Sequence, residues 1–177
     1  MDYIAALEKY PHKETVDQIV AHIGGDSKRF DQLMQGFLTG DKRVNQRTSW
    51  VMSSAVENHP ELIIPYYDFL MEKLRDPQSH DALKRNITRI LQFVDVPEKH
   101  QGIVYDRCIQ LLSSPKEAIA IRVFAMTAAF RIGQKHPDLL IELEAVIRDV
   151  LPKGSAGLKS RGQKTLQAIS KFKKQII

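Results

Sequence analysis

Apolar residues recur three and four positions apart along almost the whole chain. Leu139, Leu143, Val146, Ile147 and Val150 form one such stripe, and Leu83, Ile87, Ile90, Leu91 and Val94 form another. This spacing lays a continuous apolar face along an α-helix, and no stretch shows the apolar and polar alternation of a half-buried strand. It predicts helices over 2–10, 12–23, 27–38, 41–58, 61–75, 78–94, 97–113, 115–135, 137–151 and 155–175. The ends carry their own chemistry. Ser114, Pro115 and Glu117 read as the cap, first and third positions of a capping box, while Gly24, Gly25, Gly40 and Gly154 follow apolar runs where a left-handed residue closes a helix.

The helices return on a stride. Arg47, Arg85, Arg122 and Arg161 are separated by 38, 37 and 39 residues; Pro60, Pro97 and Pro137 by 37 and 40; Pro77, Pro115 and Pro152 by 38 and 37. The phrase His59-Pro60-Glu61-Leu62-Ile63 returns 77 residues later as His136-Pro137-Asp138-Leu139-Leu140, two periods on. Two interleaved strides of this length describe helical hairpins, and since one hairpin cannot bury its apolar face alone, the hairpins stack as an all-α solenoid. Connections of two to four residues make successive helices antiparallel neighbours. The reading is a single domain over 1–177, with capping helices in 1–26 and hairpin repeats at 27–60, 61–96, 97–136 and 137–177.

Asp41-Lys42-Arg43-Val44 and Asp81-Ala82-Leu83-Lys84-Arg85 each set an acid and then a base among small apolar residues at the start of a hairpin's second helix. In this, and in its stride, the chain from about residue 27 to 177 resembles the HEAT-like, armadillo-type repeat proteins. The resemblance implies a curved α-solenoid of about ten helices whose second helices line the concave side. Ser114 and Lys153 stand where the pattern would place an acid, so a ladder of Asp and Arg would be incomplete.

Charge sorts with that arrangement. The second helices (41–58, 78–94, 115–135 and 155–177) carry sixteen basic and four acidic residues, whereas 61–76, 97–113 and 137–151 carry five basic and ten acidic. The net charge of +5 therefore understates the asymmetry, and a one-signed concave face concentrates potential on anions. The candidate binding residues are Arg43, Arg47, Lys84, Arg85, Arg89, Arg122 and Lys164, with Trp50 one turn after Arg47. Two duties stay open for Arg47, Arg85, Arg122 and Arg161, because the resemblance gives such arginines bonds to the neighbouring repeat. The flanking Arg43, Lys84, Arg89 and Lys164 have no such duty and are the sharper binding candidates. Trp50 is open between core packing and base stacking. The expected partner is an acidic protein segment or a nucleic-acid backbone; no cofactor, small-molecule substrate or membrane is implied, and the oligomeric state is left open.

Catalysis finds little support. The histidines (His12, His22, His59, His80, His100 and His136) lack metal-ligand spacing, and no HExxH, CxxC, GxSxG or phosphate-binding glycine motif occurs. The lone Cys108 lies among apolar residues at helical spacing and reads as a buried small hydrophobe. A single cysteine, the absence of a long apolar run and a start without a basic, then apolar, leader read as cytoplasmic. The chain more distantly resembles the bacterial alkylpurine DNA glycosylases, HEAT-like solenoids that hold a carboxylate among aromatics on a basic concave face, so DNA binding or base excision is the alternative function. Against it, the acids of the second helices, Asp41, Glu57, Asp81 and Glu117, stand only at helix starts or ends.

Overall fold

Three dipeptides punctuate the chain in one backbone conformation. Tyr10, His59 and His136 each precede proline, and their φ/ψ pairs are −136°/80°, −135°/75° and −132°/79°. The ring of a following proline disfavours helical angles in the residue before it, so each helix stops there. In the computed structural model, which describes residues 1–39 and 41–176 except the side chains of Thr39 and Lys42, these residues close α1 (Tyr3–Lys9), α4 (Lys42–Asn58) and α8 (Ile119–Lys135). The other helices are α2 (Lys13–Ile23), α3 (Ser27–Thr39), α5 (Tyr67–Arg75), α6 (Asp81–Ile90), α7 (Glu98–Ser113), α9 (Leu139–Val150) and α10 (Ala156–Gln175). No strand occurs among the described residues. The all-α expectation and most predicted spans hold; the repeated phrase, expected as a helix start, begins in both copies at the residue that closes the preceding helix and leads into the 3-10 segment at Pro60 and into α9 at Leu139.

Four details differ from the sequence reading. Residues Pro60–Tyr66 form a 3-10 segment ahead of α5, because Pro65 has no N–H to give an α-helical ladder. The helix expected over 78–94 is shorter: His80 Nδ1 accepts the Leu83 N–H at 3.2 Å to start α6, and tight turns begin at Leu91. The capping box at Ser114 does not form. Ser114 ends α7 in an extended conformation, its carbonyl accepts the Glu117 N–H at 3.3 Å in a turn, and α8 starts only after Ala118. Of the glycines expected to be left-handed, Gly24 has φ 52°, Gly25 and Gly154 do not have positive φ, and Gly40 lies outside the described residues.

Contacts divide the chain into two compact units, Met1–Val94 and Asp95–Ile177. In the first, α4 is the hub, packing on α1, α2, α3, α6 and the 3-10 segment, with Phe30, Leu33, Met34, Met52, Ile63, Leu70 and Ile90 fully buried around it. In the second, α8 packs on α7, α9 and α10, over a core that includes Tyr105, Cys108, Ile121, Leu140, Leu143 and Ile147. Close approach is built in at Gly133, where a Cβ would collide with Leu140 of α9. Each second helix also turns one threonine back on its own backbone: Thr48, Thr88, Thr127 and Thr165 donate to the carbonyls of Val44, Lys84, Val123 and Arg161, four residues earlier, at 2.8–3.3 Å. That bond satisfies a hydroxyl in a packed position and tends to bend its helix.

Glu144 of α9 fastens α10. It accepts from Lys173 Nζ at 2.8 Å and from Arg148 Nη2 at 2.7 Å, and these two bonds hold its carboxyl below the usual carboxylate range. A depressed carboxylate pKa contributes stability above its unfolded value, about 4.3, and the contribution is lost as pH falls through the folded value. Glu144→Gln should therefore be less stable than the parent at pH 7, and the difference should narrow as pH falls below about 4, as read by urea denaturation at pH 7 and pH 3. A difference that persists at pH 3 would mean that packing, not charge, holds this contact.

Candidate binding surface

The contact between α4 and α6 contains a buried polar seam. Thr48, Ser49 and Ser53 of α4 and Asn86 and Thr88 of α6 are all buried. Asn86 Nδ2 donates to Ser49 Oγ at 2.7 Å and to the Ala82 carbonyl at 2.8 Å. Ser53 Oγ shares its proton between the Trp50 carbonyl at 3.0 Å and Asn86 Oδ1 at 3.3 Å. Every polar atom of the Asn86 amide thus has a partner, which a buried amide requires to avoid its desolvation cost. Arg89, three residues on, continues the seam outward: Nη1 donates to Ser53 Oγ at 3.2 Å and Nη2 meets Glu57 Oε2 at 2.6 Å.

This register decides which cations are available. Lys84 is buried, its Nζ 3.1 Å from Asp81 Oδ1. Lys84 and Arg89, expected to be free of structural duty, both have intramolecular partners. Arg85, to which the family resemblance gave a structural duty, is exposed and makes no ion pair among the described residues. Rotation does not separate the two, since Arg85 and Arg89 lie only about 40° apart around α6. The difference is position along the axis: Arg89, one turn on, reaches Ser53 and Glu57 of α4, whereas Arg85 has no ion-pair partner among the described residues. Arg43 is exposed at the first turn of α4, with no ion pair among the described residues. Arg47 is half-buried against Ile4, Leu7 and Glu8 of α1, and its Nη1 has no hydrogen-bond partner. Trp50 is 36% exposed, so it is a surface residue of α4 and not part of the core.

The second unit spends its cations similarly. Arg122 Nε donates to the Leu112 carbonyl at 2.8 Å, closing the end of α7, and burial pulls its pKa below the usual arginine range. Arg131 and Lys135 both reach Asp95 at 3.4 Å. On α10, Lys173 is held by Glu144, but Lys159, Arg161, Lys164, Lys171 and Lys174 make no ion pair among the described residues. Arg161, Lys164 and Lys171 share one side of the helix, spread along about 15 Å of its axis.

Arg161 and Lys164 form one wall of an open groove of about 500 Å³ between α8 and α10. The other wall is Ile119, Val123 and Phe124, and the groove stays open because small residues, Ala120, Gly157 and Ser160, occupy the positions that could fill it. Ile119 is 49% exposed. Of this wall the sequence marks only Phe124, an aromatic residue of a second helix; Ile119, Val123 and the glycine carry no such mark. The wall's signal was the run Ile119-Ala-Ile-Arg-Val-Phe-Ala-Met-Thr-Ala-Ala-Phe, apolar on every side of the helix where a single core-facing stripe would do. Of the expected site residues, the groove contains Lys164; Arg122 lies on a different side of α8.

Among the described residues, no group of three or more His, Cys, Asp or Glu gathers to hold a metal ion. Burial pushes the Cys108 thiol up to about 12, which leaves no thiolate at neutral pH. Among the described residues, no helix is long and apolar enough to cross a membrane.

Helical hairpins, a stride near 38 residues and the paired helix ends at His59 and His136 are the marks of one repeat class. The family whose sequence profile matches is described as the HEAT repeat domain, and the match runs over residues 3–169. The chain belongs to the HEAT repeat domain family. No curated protein and no solved structure matches it. HEAT repeats build protein-interaction scaffolds, and their family is generally without catalytic function. The match begins at residue 3, so it takes in the helices that the sequence reading set apart as a cap.

The two faces of α6 should respond differently to substitution. Asn86→Ala is expected to lower stability by about 1–3 kcal/mol, since it removes the centre of a buried network. Arg85→Gln should change it by no more than about 0.5 kcal/mol, as an exposed charge without a partner. Chemical denaturation of both variants checks the assignment, and a larger loss at Arg85 than at Asn86 would reverse it.

Proposed function

We propose that this HEAT repeat protein is a non-enzymatic scaffold that holds an acidic partner through the unpaired cations of its second helices, chiefly those of α10. The carrying observation is the contrast within α10: six basic residues and no acid over Ala156–Gln175, of which Lys173 alone has an ion-pair partner among the described residues. A fold that needed those charges would pair them, as it does at Arg89, Arg131 and Lys173. Unpaired like charges on one helix repel each other, and a bound anion relieves that repulsion. In the first unit Arg43 and Arg85 are the corresponding open cations. The proposal thus keeps Arg43, Arg85 and Lys164 from the sequence reading and adds Arg161 and Lys171. Lys84, Arg89 and Arg122 drop out because their charges already serve the fold. A single, buried thiol suits a reducing compartment, and we place the protein in the cytoplasm on that ground.

No catalytic role is proposed. The acid nearest the middle of a second helix, Glu57, lies at the C-terminal end of α4 with its carboxylate bound to Arg89.

The triple variant Arg161→Gln, Lys164→Gln, Lys171→Gln tests the reading against two generic polyanions, poly-glutamate and duplex DNA, titrated across salt. Thermal stability should stay close to that of the parent, because exposed charges contribute little to folding. Affinity for both should fall, and the slope of log affinity against log salt for DNA should drop by about 0.9 for each phosphate that the variant no longer neutralises. Equal affinity and slope in parent and variant would overturn the proposal.

A further inference from the structure

The groove between α8 and α10 has two unlike walls, and this asymmetry selects among anions. Arg161 and Lys164 lie on one side, and Ile119, Val123 and Phe124 face them from the other. A polyanion that offers only charge, such as a duplex nucleic-acid backbone, would leave the apolar wall without a partner. An uncharged apolar ligand would strand two cations. Both walls are satisfied by an amphipathic helix with carboxylates along one side and large apolar residues along the other, the helix-in-groove mode of peptide recognition.

Resting on the reading of α10 as an anion-binding helix, we infer that this groove is the docking site for a short acidic, amphipathic peptide helix of a partner protein. Its length follows from the lining residues. They run from Ile119 to Phe124 on α8 and from Gly157 to Lys164 on α10, or about 8–10 Å of helix axis, which is room for about two turns of a docked helix. Arg161 and Lys164, one turn apart on α10, match carboxylates one turn apart on the ligand. A Leu, Ile or Phe of the ligand fills the space over Gly157, where an added Cβ would come no closer to α8 than 3.8 Å, at Ile119 Cγ2.

That last feature supplies a variant that closes the groove without disturbing the fold. Gly157 is exposed in the first turn of α10, so Gly157→Leu projects a side chain into the groove while replacing glycine with a better helix former. The probes are three ligands of equal negative charge, all fluorescein-labelled: a 14-residue Glu/Leu peptide with leucines at helical spacing, a Glu/Gly peptide, and a thymidine oligonucleotide. Fluorescence anisotropy with the full chain should rank the Glu/Leu peptide at least about tenfold tighter than the other two, the value of roughly one buried apolar side chain. Gly157→Leu and Phe124→Ala should remove that preference yet keep residual Glu/Gly binding, whereas Arg161→Gln with Lys164→Gln should weaken all three. Equal affinity for the two peptides would overturn this inference while leaving the acidic-partner reading intact. Preference for the oligonucleotide would replace the peptide with single-stranded nucleic acid. A chain that dimerises with no probe present, and becomes monomeric as Gly157→Leu in sedimentation, would make a second copy the occupant. Binding of no probe at all would sink the acidic-partner reading itself.

Discussion

A helical hairpin has more apolar surface than its two helices can cover for each other, so its second helix is wedged between neighbours on several sides. That wedge governs the rest of the structure. α4 touches four helices and the 3-10 segment, and α8 touches three helices, which leaves each only a narrow strip toward water. A cation on such a helix lies on the strip or gains from finding a partner, because taking an ionised group from water without one is costly, and Arg47, half-buried with Nη1 unpartnered, bears part of that cost. A partner within reach therefore sorts structural from available charge, and rotation about the helix axis alone does not, since Arg85 and Arg89 lie only about 40° apart on α6. Lys84 with Asp81, Arg89 with Glu57 and Ser53, and Arg122 on the Leu112 carbonyl fall on one side of that line. Arg43, Arg85, Lys164 and Lys171 fall on the other.

Periodicity made the architecture legible because it is a one-dimensional property of a repeat protein. The recurring prolines, the returning His-Pro phrase and the three- and four-residue apolar spacing are local signals, and local contacts build these hairpins. The same reasoning misjudged α6, where a stride aligned Arg85 with Arg47, Arg122 and Arg161 as though all four must share one environment. They do not: Arg47 lies half-buried against α1, Arg85 is exposed, Arg122 closes α7 and Arg161 lines a groove. A stride of 37 to 39 residues fixes position along the repeat to within a residue or two, and two residues turn a helix by slightly more than half a turn. Only a partner pattern, such as Ser49, Ser53 and Asn86, settles which way a helix faces.

The groove of the second unit was hidden for a different reason. A cavity arises from side chains that are too small, and small residues leave no mark on an apolar periodicity: Ala120, Gly157 and Ser160 look like tolerated helix positions. The visible clue lay opposite, in the apolar character of α8 beyond what its core-facing side requires. Charge on α10 and exposed apolar surface on α8 are each common alone. Together, across a groove of this size, they are the ground for proposing a ligand with both properties.

Chemical footprinting of every cation in the folded chain tests the sorting most directly. Acetylation of lysines and phenylglyoxal labelling of arginines, with rates read residue by residue by mass spectrometry, separate charges held by the fold from those open to a partner. Labelling should be slow at Lys84, Arg89 and Arg122 and fast at Arg43, Arg85, Lys164 and Lys171, with Lys164 slowing further when an acidic amphipathic peptide is added. Lys84 labelling as fast as Lys164, or Arg89 as fast as Arg85, would contradict it.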